Sequence, residues 1–374
     1  MANAILYWVP TTNQTWNTNN TGNKWSTSPT SFVAPLTPFY PEANTDVVIP
    51  GGGFNGNCIL AAGTRPCRSL TIDNSYTGTF NWANATGAAL TIGDGGAGAG
   101  NVALSIGTGT TVTLHAAASL SFISTSTASH TIKTNSKTVP STNINGASSN
   151  YTLQDGLTIT GSLNVTQGIF DTGSFTVTLS GAFNSTGTLS RTINLNGSTV
   201  NLGVGQSWTI SGSNVALNQT NSTIYFGGPI PSATFAGNGF TYGTVHFNSA
   251  GGFGANTITI TGANTIGTLT FDSDVSSGVT ARFPAGVTTT IIDALNFYGI
   301  SSDTIIVVSS SPGTQYTISK NGALVEATWI ELTDCIGTGE AKYFASNSVN
   351  NGNNVNWRFN APNRGSQSLL GCGI

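Results

Sequence analysis

The chain has 374 residues, of which 7% are charged, with 47 glycines and a net charge of -3. Typical globular domains are about 25% charged. Its 11 Lys and Arg form no basic cluster, which excludes nucleic-acid binding by phosphate neutralisation. Hydrophobic residues still make up 38% and include 18 Phe along the whole length, so the chain can bury a core and is not a disordered polymer.

Met1-Ala-Asn-Ala-Ile-Leu-Tyr-Trp8 lacks the basic start and long apolar run of a secretory leader. No window reaches about 18 continuous apolar residues, so no membrane span is expected. Residues 1–68 carry Trp8, Trp16 and Trp25, and six of the 13 prolines fall between Pro29 and Pro66. Proline at that density opposes central strands. The segment reads as a small cap or attachment module whose aromatic residues cover the end of a β stack.

Residues 69–326 read as the body. Short alternating runs recur between Gly, Asn and Ser: Leu70-Thr-Ile72, Leu90-Thr-Ile92, Thr111-Val-Thr-Leu114, Leu157-Thr-Ile-Thr160 and Thr176-Val-Thr-Leu179. They continue through Thr192-Ile-Asn-Leu195, Thr223-Ile-Tyr-Phe226, Thr244-Val-His-Phe247, Thr257-Ile-Thr-Ile260, Thr268-Leu-Thr-Phe271, Thr289-Thr-Ile-Ile292 and Thr304-Ile-Ile-Val307. Period-two alternation puts aliphatic and aromatic residues on one face and Thr on the other. One Met, four Glu and five Lys leave little from which to build helices.

This pattern predicts an all-β protein whose body is a right-handed parallel β-helix, a β-solenoid. Stacked coils put like residues above one another, where Asn, Ser and Thr ladders are favourable and like charges repel. Tandem β-sandwiches are the alternative, but no linker divides the body. Residues 327–374, with Trp329-Ile-Glu-Leu332, Tyr343-Phe344 and the Asn-rich run to Trp357, read as closing coils and a tail.

Tyr7-Trp8, Thr15-Trp16-Asn17, Asn23-Lys24-Trp25-Ser26, Leu153-Gln-Asp-Gly-Leu-Thr158 and the Asn-rich stretch to Trp357 resemble Gly/Thr/Ser-rich bacteriophage virion proteins of the fibre, tailspike and head-decoration type. The resemblance covers nearly the whole chain in style and rests largely on composition. It implies a β-helical body, assembly in the host cytoplasm onto a virion, contact with other tail or capsid proteins, and a homotrimer. It carries over no catalytic residue, and no cofactor is expected.

Four chemical readings can be set against the sequence. A tailspike that cleaves host polysaccharide needs two carboxylates about 5–9.5 Å apart. Asp272 and Asp274 would share one strand face about 7 Å apart, and Asp293 and Asp303 could join from following coils. The commoner role of Asp-x-Asp at a strand end is a turn or solvated edge. The Gly93–Gly100 run lacks the Lys-Ser/Thr of a phosphate loop and offers one Asp, too few ligands for calcium. Thr pairs starting at Thr111, Thr158, Thr176, Thr257 and Thr268 are too unevenly spaced for an ice-binding array. Trp16, Trp25 and Trp82 could stack on a host surface glycan, although aromatic residues early in a domain more often close its core.

Cys58, Cys67, Cys335 and Cys372 form no CxxC pair, and His115, His130 and His246 lie elsewhere, so no zinc or other metal site is expected. Isolated core cysteines are the favoured reading, with a Cys58–Cys67 disulfide as the alternative.

Overall fold

A computed structural model describes residues 5–17, 22, 24–35, 40–82, 88–93, 102–228, 232–248, 256–272 and 279–360. Asp274, Cys372 and residues 94–100 of the glycine run therefore lie outside the described residues. The described residues contain strands, turns and bends but no helix. They form a parallel β-solenoid divided into two compact units, Met1–Ile224 and Tyr225–Ile374.

In the first unit one parallel ladder begins with Ile5–Trp8 and passes through Asp46–Ile49, Ser69–Ile72, Val102–Ser105 and Ser129–Lys133. It continues through Ser141–Leu153, Leu163–Asp171 and Arg191–Asn194 to Val215–Asn218. A second stacks Gly63–Cys67, Ala88–Ile92 and Ser119–Phe122 on Ser141–Leu153. A third aligns Thr138, Thr158, Thr178 and Asn201 as neighbours. Each ladder joins strands distant in sequence and running the same way, which rules out tandem sandwiches of antiparallel hairpins.

Coil stacking explains the polarity. Asn184 Nδ2 donates to Asn164 Oδ1 at 3.1 Å, and Asn218 Nδ2 to Asn194 Oδ1 at 2.7 Å. An amide both donates and accepts, so it can pair with its own copy one coil away. A lysine or glutamate cannot.

The stack starts earlier than the expected body. Its first strand is Ile5–Trp8, and the boundary at 68/69 falls between the strands Gly63–Cys67 and Ser69–Ile72. Trp8 and Trp25 meet edge to face at 4.9 Å, Trp16 and Trp25 at 5.1 Å, and all three are buried. Trp25–Ser26 runs antiparallel to Ile5–Trp8, so that strand is paired on both sides. An edge covered by so short an antiparallel strand offers little to another chain.

The second unit is built the same way. Thr241–Asn248, Thr265–Asp272 and Thr288–Tyr298 stack in parallel. The next coil splits, Tyr316–Lys320 pairing with the first half of Thr288–Tyr298 and Leu324–Thr328 with its end. Cys335–Thr338, Lys342–Ser346 and Trp357–Asn360 follow. A second ladder runs from Ser232–Ala236 through Asn256–Thr261, Val279–Phe283 and Ile305–Ser309 to Ile330–Leu332 and Val349–Asn350. Inside, Phe226, Phe247, Phe271 and Phe297 form a column with ring centroids 4.5, 5.0 and 5.2 Å apart.

Candidate functional site

Among the described residues, the carboxylates singled out from sequence do not converge. Asp272 Oδ2 lies 2.6 Å from His246 Nε2 on the preceding coil, and the His246 ring meets Tyr225 edge to face at 5.1 Å. Asp293 occupies a bulge in Thr288–Tyr298, where the register shifts opposite Ile266 to Thr268. A Cβ on Gly267 would lie 2.6 Å from the Gly243 carbonyl oxygen and 3.0 Å from Asp293 Oδ2, so glycine there admits both the neighbouring backbone and the carboxylate. Asp272 pairs with Tyr298, five residues beyond Asp293, which separates the two by roughly 15 Å along the sheet. Asp303 is buried in a turn closed by reciprocal backbone hydrogen bonds with Ile300 at 3.0 and 2.9 Å.

The three tryptophans singled out for a glycan are core residues. Trp16, Trp25 and Trp82 are all buried, and Trp82 packs edge to face on Phe80 at 4.6 Å. None can stack on a sugar, which corrects that reading of these three positions. Cys58, Cys67 and Cys335 are buried free thiols, so the Cys58–Cys67 disulfide does not form. Among the described residues no group of three or more His, Cys, Asp or Glu could hold a metal ion.

The split coil creates a different site. Where Tyr316–Lys320 parts from Leu324–Thr328, Gly322 and Ala323 take positive φ values of 60° and 57° and turn the chain away from the unbroken Thr288–Tyr298 strand. The gap is a cavity of about 340 Å³ lined by Asp293, Ala294, Leu295, Asn296, Tyr298, Lys320, Ala323, Leu324 and Glu326. Tyr298 is 51% exposed, and Leu324 stands equally open. Asn296 and Glu326 immediately precede the paired Phe297 and Ala327, which places them side by side on adjacent strands. Asn296 Nδ2 donates to Thr270 Oγ1 at 3.1 Å, which holds the amide upright on the sheet face.

Lys320 is the unusual member. It continues an inward column that reads Tyr242, Ile266, Ile291 on the three preceding coils. It is only 4% exposed. An ammonium has three protons to donate, yet the one hydrogen bond that the Lys320 ammonium makes among the described residues is long, Nζ to the Asn321 carbonyl at 3.4 Å. It forms no ion pair among them, although Asp293 and Glu326 line the same cavity.

This site was not found from sequence, because it depends on a bulge and a split that leave no motif. One signal was present. Tyr316-Thr-Ile-Ser-Lys320 alternates like the other strands but ends on a lysine where the pattern demands an apolar residue.

No protein-family model, no curated protein and no solved structure matches the chain.

Proposed function

We propose that the chain is a non-enzymatic structural protein of a bacteriophage particle, displayed on its surface as a fibre, spike or decoration. It is assembled in the host cytoplasm as a homotrimer, bound to other tail or capsid proteins, and contacts the host surface or decorates the particle. The observation that carries the structural role is the pairing of uncharged amide and hydroxyl ladders outside with stacked aromatic and aliphatic columns inside. Such an arrangement gives a rigid scaffold without requiring a cofactor or metal. The phage assignment rests on the sequence resemblance. Immunogold labelling of intact particles with an antibody raised against the purified chain tests it. Label on the particle surface is expected, and label confined to unassembled lysate would reject the reading.

One observation favours the alternative, a tailspike depolymerase that hydrolyses host polysaccharide: Asp293 and Glu326 line one cavity. Purified protein incubated with host capsule or lipopolysaccharide separates the two. No release of reducing ends is expected. Release that disappears in both Asp293→Asn and Glu326→Gln would establish the enzyme instead.

A further inference from the structure

We propose that the cavity between Thr288–Tyr298 and the split coil is a binding subsite for one neutral hexopyranose ring. The inference rests on the host-contact reading only for the source of the sugar. The chemistry stands on the residues themselves.

Lys320 supplies the first argument. Burying an ammonium is costly unless hydrogen bonds replace its water. Here a single long bond does so, and Lys320 is one of the residues lining an open cavity. The position needs acceptors from whatever fills that space. The rim makes the opposite demand. The carboxylates of Asp293 and Glu326 accept hydrogen bonds. A ligand that satisfies both must present acceptors to one wall and donors to the other within a few ångströms. Adjacent sugar hydroxyls do this, because each hydroxyl both donates and accepts.

Charge then selects among ligands. With one ammonium against two carboxylates, the site is net negative by one. Phosphates, sulfates and uronates would meet like charges at the rim, so the fit is to an uncharged ring. Tyr298 adds the flat apolar surface that the C–H face of a pyranose requires. A cavity of about 340 Å³ is at the small end of ligand sites, suited to one ring rather than a long chain.

The test uses saturation-transfer NMR on the full chain. The probes are the methyl α- and β-glycosides of glucose, galactose, mannose and N-acetylglucosamine, with methyl glucuronoside as the charged control. At least one neutral glycoside is expected to bind with a dissociation constant on the order of 1 mM, as suits a single shallow subsite. The half-exposed Tyr298→Ala is expected to weaken it about tenfold with the fold intact, and Glu326→Gln to weaken it similarly. Lys320→Met carries the sharpest expectation. It should abolish binding yet raise the melting temperature by a few degrees, since an apolar residue completes the Tyr242–Ile266–Ile291 column.

Absence of transfer from every neutral glycoside would overturn the proposal and leave Lys320 a hydrated structural charge. Tighter binding of the glucuronoside, or unchanged binding by Lys320→Met, would overturn it too. Sugar binding without particle labelling would reject the virion reading alone, and labelling without sugar binding would reject the subsite alone.

Discussion

Phe271 lies against Phe297 on the next coil with ring centroids 5.2 Å apart and planes 8° from parallel. The two residues are also register partners, so the backbone ladder and the ring stack reinforce each other. Phe247 stacks on the other face of Phe271 at 5.0 Å, and Phe283 approaches at 6.1 Å from the opposing sheet.

Phe271→Ala removes the centre of that column at a fully buried position. The expected loss is about 3–5 kcal/mol, the range for a buried aromatic replaced by alanine. Phe271→Leu keeps most of the volume and should lose roughly 1.5 kcal/mol or less. Urea unfolding followed by tryptophan fluorescence measures both. Similar losses for the two variants would mean that ring stacking, rather than filled volume, holds the column.

Arg191 plays a comparable part in the first unit with polar bonds. Its buried guanidinium donates to Ser185 Oγ at 2.7 Å, to the carbonyls of Leu189 and Ser213 at 2.9 and 3.0 Å, and to those of Gly187 and Ser185 at 3.2 Å. The carbonyls of Gly187, Leu189 and Ser213 lie between strands, and lysine cannot reproduce the planar fork that reaches them. Arg191→Lys is therefore expected to cost on the order of 3 kcal/mol through carbonyls left buried and unpaired. Proteolysis that first opens the 185–191 and 211–213 segments in this variant would locate the loss, and wild-type stability would refute the account.

The fold was legible because its rule is local. Thr257-Ile-Thr-Ile260 announces a strand by alternation, and the structure buries Ile258 and Ile260 as that pattern requires. The parallel stack was legible from scarce charge, since amide pairs such as Asn164 and Asn184 tolerate a neighbour of their own kind. The first strands were harder to read. Trp8, Trp16 and Trp25 replace the aliphatic residues seen elsewhere, and Pro- and Asn-rich loops interrupt the alternation. The spacing between runs also misleads, because one coil holds several strands from different sheets. Thr138, Thr158 and Thr178 repeat every 20 residues only within a single ladder. The cavity at Lys320 was illegible because a bulge at Asp293 and a turn at Ala323 meet there only once the coils are stacked.

Alkaline pH should unfold the chain early. Burial pushes the Cys335 thiol up to about 12. Burial likewise pushes the Tyr343 hydroxyl up to about 12. The unfolded chain releases these protons near pH 8.5 and 10 respectively. Between those values and 12 the unfolded state binds fewer protons than the folded one, so stability falls as pH rises. Cys335 removes at most about 1.4 kcal/mol per pH unit across its window and nothing below it, and Tyr343 removes less. Melting temperatures measured from pH 8 to 11 should decline progressively, and Cys335→Ala should flatten the early part of the decline. A level profile to pH 11 would contradict the burial of these protons.

Association is expected to follow from the ends of the stack and the scarcity of charge. The first strand is paired on both sides, by Trp25–Ser26 and by Asp46–Ile49. In the second unit Trp357–Asn360 pairs with Lys342–Ser346, and no described residue pairs with its remaining edge. Unpaired strand edges recruit other chains unless charge or cover prevents it. Here only 11 basic and 14 acidic residues are spread over 374, so little repulsion keeps copies apart. Closed rotational symmetry is the usual result of self-association, and the resemblance to phage fibres and spikes favours three copies. Light scattering coupled to size exclusion should therefore give three times 38.2 kDa and hold that value on dilution into the micromolar range. A single 38.2 kDa species would refute the trimer.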